Sequence, residues 1–184
     1  MDSTGLLLID IQNDYFPRGK MELKGSEEAG RIAGQLLGFF RARRRPVIHI
    51  QHVSIRQGAT FFLPDTTGVE IHASVKPADS EVVIQKHFPN SFLETDLLAH
   101  LQRHNLRRLV IAGMMTHMCL DAGVRAAADH GYECWIAADG CATRDLSFGQ
   151  RVVKAADVQA AFLAALHGSY GEVMTAADVI NRLG

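Results

Sequence analysis

Three side chains of complementary chemistry stand at separate places in the sequence: a carboxylate at Asp10, an ammonium at Lys86 and a thiol at Cys119. A carboxylate near a thiol can accept its proton, and a nearby ammonium favours the anionic form of both groups. The resulting thiolate can attack a carbonyl carbon and form a thioester. The set therefore predicts thiol acyl transfer if the fold brings the three together. Taken singly, each charged residue could instead be a helix cap or a surface charge.

Cys119 lies where an apolar run gives way to a helical pattern. The run Leu109–Ala112 has the length and branching of a buried strand, Gly113 interrupts it, and from Leu120 onward apolar residues recur at three- and four-residue spacing. Cys119 is therefore expected in the first turn of a helix, whose N-terminus favours negative charge and lowers the pKa of a thiol. The alternative is that Cys119 is a small buried hydrophobic residue, as lone cysteines often are.

The rest of the chain alternates short apolar runs with longer amphipathic segments. The runs predict six strands: Leu6–Ile9, Val47–Gln51, Val82–Ile84, Leu109–Ala112, Glu133–Ala137 and Gly171–Met174. The longer segments predict five helices: Glu27–Arg44 with Ser26 as its N-cap, Phe92–Asn105, one beginning near Leu120, Phe148–His167, and one capped by Thr175. This alternation predicts one α/β domain over residues 1–184, with helices on both faces of a parallel sheet.

A parallel sheet would bring the three candidate side chains to one place. Each of them follows a predicted strand or begins the helix after one, and the carboxyl ends of parallel strands share the edge where ligands bind. Strands one and four are neighbours in the common doubly wound order, so Asp10 and Cys119 can meet. The segment 54–79 has no clear period, and we expect it to cover this edge.

Composition limits the possible function classes. The chain has 184 residues, 47% hydrophobic and 21% charged, with a formal net charge of -1, which is typical of a globular domain. Binding to nucleic acid or to an anionic membrane usually needs a basic surface, so neither partner is expected. The apolar runs are too short for a membrane span or a signal peptide, which predicts a cytoplasmic location. Three cysteines without a CxxC pair predict neither a disulfide framework nor a zinc site.

Four segments of the chain resemble one known family. They are LLLIDIQNDYF (Leu6–Phe16), KHFPNSFLETDL (Lys86–Leu97), AGMMTHMCLDAGVRAA (Ala112–Ala127) and AADGCATRD (Ala137–Asp145). In this order, and over nearly the whole chain, they resemble the isochorismatase-like cysteine hydrolases, a superfamily that includes nicotinamidases and N-carbamoylsarcosine amidohydrolase. The resemblance implies a three-layer α/β/α sandwich around a six-stranded parallel sheet of order 3-2-1-4-5-6.

The resemblance also implies a role for each of the three residues. Asp10 would be the general base, Lys86 its ionic partner and Cys119 the nucleophile. Members of the family carry a non-proline cis peptide before the nucleophile, which would here join Met114 to Met115. That bond would aim the N–H groups of Met115 and Cys119 at one point as an oxyanion hole. Since family members commonly assemble, a homodimer or a higher homo-oligomer is expected.

The resemblance fails at one feature, the metal site of the nicotinamidases. Those enzymes hold a metal through an Asp-x-His pair after strand two and a later histidine. The corresponding stretch here is His52-Val53-Ser54, which lacks the aspartate and the paired histidine, and His72 stands alone in a loop. We therefore expect no catalytic metal and no cofactor, and nicotinamide is a poor candidate substrate.

The sequence as a whole predicts a metal-independent cysteine hydrolase that binds a small-molecule substrate. It would cleave a C–N bond of a small amide or carbamoyl compound through a thioester intermediate. One alternative is an isochorismatase-type vinyl ether hydrolase, which would need Asp10 and Lys86 but not Cys119. Another is a non-catalytic binding protein on the same fold.

Side chains close to the three candidate residues in the sequence could line a substrate pocket. Those expected to do so are Gln12, Tyr15, Phe16, Phe88, Phe92 and Met118. The alternative for the apolar members is core packing, and for Gln12 a solvated position on a loop. Trp135, on the predicted fifth strand, is expected in the core.

Overall fold

The computed structural model describes residues 3–184, which form eight strands and five α-helices. The strands are β1 (Thr4–Ile9), β2 (Val47–His52), β3 (Val82–Lys86), β4 (Arg108–Met114), β5 (Glu133–Ala142), β6 (Leu146–Phe148), β7 (Arg151–Val153) and β8 (Glu172–Met174). The helices are α1 (Ser26–Ala42), α2 (Leu97–Arg103), α3 (Asp121–Asp129), α4 (Ala155–Leu166) and α5 (Ala176–Leu183). Residues 1 and 2 of the predicted domain lie outside the described part of the chain.

Six of the strands pair in parallel, in the order β3-β2-β1-β4-β5-β8. This confirms the predicted order, with β8 as the sixth strand, since β6 and β7 form a separate hairpin. Alternate side chains of β1 face opposite layers, as strand geometry requires. Leu6 and Leu8 pack with α1 and α5, whereas Leu7 and Ile9 pack with α2, α3 and α4. The predicted three-layer α/β/α sandwich is confirmed.

The N-termini of α1 and α5 test the two predicted helix caps. Thr175 accepts the N–H of Asp178 at 3.1 Å and completes a reciprocal capping box at the start of α5, as predicted. At the start of α1 the prediction was wrong, because the residue before the helix is Gly25 at φ +75°. Ser26 is already inside the helix and is buried there, so its hydroxyl does not serve as the cap.

The helix predicted over Phe148–His167 is wrong in its first part. Residues 146–153 form the antiparallel hairpin of β6 and β7, and α4 begins only at Ala155. Gly149, at φ +58°, makes the turn of the hairpin, a conformation that side chains other than glycine rarely adopt. The carboxylate of Asp145 then accepts the N–H of Ala155 at 2.8 Å and stabilises the start of α4.

The helix predicted over Phe92–Asn105 is also shorter than expected, since α2 spans Leu97–Arg103. Polar side chains bond to nearby backbone N–H groups in the stretch before it: Asn90 Oδ1 accepts from Phe92 at 2.9 Å, and Thr95 Oγ1 accepts from Leu97 at 3.3 Å. Such local bonds compete with helix formation, which delays the start of α2.

The surface of the described chain is apolar in one region. Within residues 3–184, no helix is both long enough and apolar enough to cross a membrane. Helix α4 nevertheless consists almost entirely of apolar residues, although only Val158 and Leu166 are buried in it. The adjacent hairpin exposes Phe148 (85%) and Val152 (57%). An apolar surface of this kind is typical of an interaction site.

We expect this surface to mediate the predicted homo-oligomer. Small-angle scattering should give a mass that is a multiple of 20.2 kDa, and Phe148→Glu should lower it because a carboxylate would have to be desolvated at the interface. Ile55→Glu changes another exposed apolar residue, outside the hairpin and α4, and should leave the mass unchanged. A mass near 20.2 kDa for the unmodified chain would refute the assembly.

Candidate active site

The structure brings Asp10, Lys86 and Cys119 together at the carboxyl edge of the sheet. The Lys86 ammonium lies 2.8 Å from Asp10 Oδ2, and both side chains are fully buried. One carboxylate oxygen of Asp10, the Cys119 sulfur and one ring nitrogen of His52 all lie within 4.8 Å of one another. A carboxylate, a cation and a thiol therefore share one buried cluster, as the parallel topology predicts.

Strand ends set the positions of the two charged residues. Strand β1 ends at Ile9, and Asp10 turns the chain out of the sheet at φ +52°, with its N–H donated to the carbonyl of Ile50. Lys86 is the last residue of β3 and pairs in register with His52 of β2. Because β2 lies between β1 and β3, the ion pair of Asp10 and Lys86 spans the ends of three neighbouring strands.

The ammonium of Lys86 is surrounded by acceptors. Beyond Asp10, it lies 3.1 Å from His52 Nδ1 and donates to the carbonyls of Phe88 at 3.0 Å and Pro89 at 3.3 Å. Burial alone would lower the pKa of Lys86. The negative charge of Asp10 acts in the opposite direction, and the pKa lies above its usual value. Lys86 is therefore a fixed positive charge within the cluster.

This fixed charge bears on whether the cluster could hold a metal. Asp10, His52 and Cys119 offer a carboxylate oxygen, an imidazole nitrogen and a sulfur at distances that suit a cation. The ammonium of Lys86, however, already contacts two of these ligands, Asp10 and His52. A metal ion bound there would have to displace Lys86 and desolvate a second positive charge beside it, so the donor set suits the lysine better than a metal.

Asp10 has a buried carboxylate oxygen that accepts no hydrogen bond within the described chain. Its Oδ2 faces Lys86, whereas Oδ1 is buried without a hydrogen-bond partner among residues 3–184. Buried carboxylate oxygens are normally paired, and an exception at a cluster of reactive groups is a mark of function. A carboxylate oxygen of Asp10 lies within 4.8 Å of the sulfur of the neighbouring thiol.

Cys119 differs from expectation in its local structure and in its ionisation. It lies in a π-helical turn, Thr116–Leu120, that precedes α3, and not in the first α-helical turn. Burial raises the pKa of the Cys119 thiol, the charge of Asp10 raises it further, and Lys86 only partly opposes them. The expected fall in the thiol pKa is therefore wrong for the free protein. The side chain is 4% exposed and carries its proton until a base removes it.

The chain between β4 and Cys119 is closely packed against β1. Gly113 has φ +153°, and a Cβ atom there would lie 2.2 Å from the carbonyl oxygen of Ile9, so only glycine fits. The peptide bond between Met114 and Met115 is cis, as the resemblance implied. Met115 thus joins the end of β4 to the turn that carries Cys119.

His52 is the site residue that the sequence reasoning missed. Its Nδ1 lies 4.0 Å from the sulfur of Cys119 and 3.1 Å from Lys86 Nζ. Burial lowers the pKa of His52 to about 4, so the ring is neutral near pH 7. Gln12 fixes its backbone on both sides, since the Gln12 amide accepts the N–H of His52 at 2.7 Å and donates to its carbonyl at 2.9 Å. One feature of the sequence could have identified His52: it lies at the end of β2, the strand between β1 and β3.

The expected pocket residues divide into two groups. Tyr15 lies at the site, where burial raises the pKa of its phenol and the charges of Cys119 and Asp10 raise it further. Gln12 is fully buried and acts on the backbone of His52, and the carbonyl of Phe88 accepts from Lys86. Met118, 42% exposed, lies in the turn that holds Cys119.

The rings of Phe16 and Phe92 each contact a histidine that is distant in sequence. Phe16 is stacked on His72 with ring centroids 3.5 Å apart and packs in the core against α1. His72 therefore has a packing role there. Phe92 contacts His130, which follows the last residue of α3, whereas Cys119 precedes the first residue of that helix. These contacts give both rings a packing role, and that they line the substrate pocket stays a prediction.

Part of the segment 54–79 is held against the site, as expected. The ring of Phe62 lies 4.6 Å from that of Tyr15 and 5.9 Å from that of His52, measured between centroids. The buried carboxylate of Asp14 accepts the N–H of Phe62 at 2.6 Å, and the Gln12 amide donates to the carbonyl of Val69 at 2.7 Å. These bonds fix the segment over the end of β2.

Comparisons with known proteins identify the family of this chain. Residues 4–178 match the isochorismatase domain. The chain is 51% identical over 173 residues to YddQ, an uncharacterized isochorismatase family protein of Bacillus subtilis strain 168, which covers 94% of this chain and 96% of that protein. A crystal structure described as an isochorismatase hydrolase from Oleispira antarctica superimposes with a TM-score of 0.95 at 46% identity, over 98% of this chain and 97% of the other.

A more distant relative has a named activity. The maleamate amidohydrolase of Pseudomonas putida is 26% identical over 110 residues, which cover 60% of this chain and 47% of that enzyme.

The buried ion pair generates a stability prediction. Lys86→Met should lower the free energy of unfolding by about 3–5 kcal/mol, because it leaves the Asp10 carboxylate buried and unpaired. In urea unfolding, the double variant Lys86→Met with Asp10→Asn should lose much less than the sum of the two single variants. Arg31→Met breaks the exposed pair with Glu28 and should change stability little. Additive losses at Asp10 and Lys86 would contradict a coupled buried pair.

Proposed function

This chain belongs to the isochorismatase family of hydrolases, and we propose that it is a metal-independent cysteine hydrolase that cleaves the C–N bond of a small amide or carbamoyl compound. The observation that carries the proposal is the buried cluster of Asp10, Lys86 and Cys119. The named amide activity of the maleamate amidohydrolase supports the same class of reaction.

The proposed reaction begins with a proton transfer inside the cluster. Asp10 takes the proton of the Cys119 thiol, and the sulfur attacks the carbonyl carbon of the amide. The N–H groups of Met115 and Cys119 stabilise the oxyanion of the tetrahedral intermediate. Asp10 then protonates the departing nitrogen, so that ammonia or an amine leaves and a thioester remains.

A second half-reaction regenerates the thiol. Asp10, again a carboxylate, takes a proton from a water molecule, whose oxygen attacks the thioester carbon. The tetrahedral intermediate collapses, the C–S bond breaks, and the sulfur recovers the proton from Asp10 as the acid is released. Lys86 balances the negative charge as it moves from the carboxylate to the sulfur and back. The raised pKa of the resting thiol fits this scheme, because the proton leaves Cys119 only when the substrate is in place.

The cysteine favours amide hydrolysis over the two alternatives. A vinyl ether hydrolase would need the ion pair of Asp10 and Lys86 but would have no use for a thiol within 4.8 Å of the base. A protein that only binds a ligand would gain nothing from a buried carboxylate oxygen without a partner, which costs stability.

Ammonia release from a panel of small primary amides and carbamoyl compounds tests the proposal. Cys119→Ala should reduce turnover at least about a thousandfold, because no thioester can form, and Asp10→Asn should also stop it, because the base is lost. Cys134→Ala, the same change at a buried cysteine outside the cluster, is the matched control and should retain activity. Circular dichroism shows whether each variant is folded. Full activity of Cys119→Ala on amides would refute the thioester intermediate. Full activity of this variant on a vinyl ether would replace the proposal with the ether hydrolase.

The metal-independent part of the proposal has its own test. Turnover of any amide identified in the panel should survive exhaustive dialysis against a strong chelator, because Lys86 supplies the positive charge at Asp10. Added zinc should inhibit, since it would compete with Lys86 for Asp10 and His52. Loss of activity on chelation with recovery on adding back a divalent ion would contradict this reading.

A further inference from the structure

The side chain of Gln159 on α4 joins three parts of the chain. Its Nε2 donates to the β5 carbonyls of Ala138 at 3.2 Å and Cys141 at 3.3 Å. Its Oε1 accepts the hydroxyl of Thr116 at 2.6 Å, at the start of the π-helical turn Thr116–Leu120, which we call the nucleophile turn. Carbonyl oxygens only accept, so the amide nitrogen must face β5 and the amide oxygen must face Thr116. The amide therefore has one orientation, and it links α4 to the nucleophile turn.

Thr116 depends on this link. It is fully buried, so its hydroxyl has to find its partners within the protein. The hydroxyl oxygen lies 2.6 Å from Gln159 Oε1 and 3.2 Å from the carbonyl of Ala142. A hydroxyl carries one proton, and the shorter contact is the stronger bond. Loss of the Gln159 amide would therefore weaken the anchoring of the same turn that holds Cys119.

The β5 carbonyls that Gln159 binds lie at an irregularity of the sheet. Between two paired positions, β4 advances from Ile111 to Gly113, whereas β5 advances from Ile136 to Cys141. The extra residues of β5 bulge from the ladder where β4 leads into the nucleophile turn. Carbonyls displaced from a ladder need other donors. Gln159 supplies two of them at this point.

A second contact joins α4 to the nucleophile turn. The ring of Phe162, further along α4, lies edge-on to the ring of His117, with centroids 6.0 Å apart. Nδ1 of His117 lies 2.6 Å from the hydroxyl of Thr143, which follows β5. Thr116 and His117 are therefore both held by residues of α4 and by residues at the end of β5.

We propose that Gln159 is a positioning residue, which holds the nucleophile turn so that the sulfur of Cys119 stays beside Asp10. The inference rests on the proposed function, in which a carboxylate oxygen of Asp10, within 4.8 Å of that sulfur, removes its proton. Gln159 would act through Thr116 and not on a reacting atom. A displacement of about 1 Å at a reacting group can slow a reaction by about a hundredfold, so a loosened turn should slow attack by the sulfur.

Alkylation of single cysteines by iodoacetamide tests the inference without a substrate. The sulfur attacks the iodinated carbon, the C–I bond breaks, iodide leaves, and the thiol proton goes to Asp10. Gln159→Leu is similar in size and removes all three hydrogen bonds. We expect it to slow alkylation of Cys119 at least about tenfold near neutral pH. Gln102→Leu makes the same change at an exposed position of α2 and should leave this rate unchanged.

The direction of the change separates positioning from a general loss of packing. Cys134 and Cys141 are also buried, and mass spectrometry reads all three cysteines from one sample. A loosened structure would expose buried thiols and speed their alkylation, first at Cys141, whose carbonyl binds Gln159. Slower reaction at Cys119 alone supports the inference. An unchanged rate at Cys119, or faster reaction at all three cysteines, would overturn it.

Gln159→Glu gives a version of the test that depends on pH. A protonated glutamate can donate to a β5 carbonyl and accept from Thr116, whereas a carboxylate would face two carbonyl oxygens. The rate at Cys119, divided by that of the unsubstituted chain, should therefore rise as the pH falls from about 8 to about 5, because the carbonyls disfavour the charged form. A ratio that stays constant over this range would contradict the role of these hydrogen bonds.

Thr116→Val tests whether Gln159 acts through the hydroxyl of Thr116. Combined with Gln159→Leu, it should slow alkylation of Cys119 no more than Gln159→Leu does alone, because both changes break the same bond. Losses that multiply in the double variant would contradict this route.

Turnover separates the inference from the proposed function. On any amide whose hydrolysis depends on Cys119, Gln159→Leu should lower kcat/KM at least about tenfold, mainly through kcat. A change confined to KM would contradict positioning and leave the amide hydrolase standing. If no amide in the panel is hydrolysed, the proposed function fails, while the alkylation rates still decide whether Gln159 positions Cys119.

Discussion

A buried ion pair organises this protein at the edge where its chemistry is proposed. Asp10 and Lys86 are both fully buried and lie 2.8 Å apart, at the ends of two strands that flank β2. Removing two charges from water is expensive, and the attraction between them offsets that cost only when further polar groups complete the geometry. Here His52 and two backbone carbonyls complete the surroundings of the ammonium. The ion pair thus joins the ends of β1 and β3 across β2 and holds the carboxylate that is proposed as the general base.

Burial explains why the thiol at this site is not a resting thiolate. The low-polarity surroundings that strengthen the attraction between Asp10 and Lys86 also raise the pKa of Cys119. A reactive thiolate would need a more open or more cationic site, of the kind found where a helix N-terminus or an unpaired cation faces the sulfur. In this chain the cation is already paired with Asp10, so the proposed reaction needs Asp10 to remove the thiol proton.

Several segments of the chain pack around the cluster of Asp10, Lys86 and Cys119. Gly113 lies close against Ile9 of β1 just before the turn that carries Cys119, and Phe62 from the segment 54–79 packs beside Tyr15 and His52. The cluster of Asp10, Lys86 and Cys119 is therefore charge-balanced and enclosed.

The sequence by itself was enough for the architecture and for the three central residues. Alternating apolar runs predict a parallel sheet, and a parallel sheet brings whatever follows its strands to one edge, so Asp10, Lys86 and Cys119 could be placed together without coordinates. Motif resemblance added the strand order and the cis bond between Met114 and Met115, which no local pattern predicts.

Only the tertiary structure decided features that depend on contacts between distant segments. Phe16 contacts His72 and Phe92 contacts His130, both far along the chain, and proximity in sequence to the site residues does not show these contacts. The pKa of Cys119 depends on how deeply it is buried and on which charges face it. His52 became a site residue because β2 lies between β1 and β3. Sequence patterns record which residues are apolar and how they are spaced, whereas side-chain direction, burial and charge partners exist only once the chain has folded.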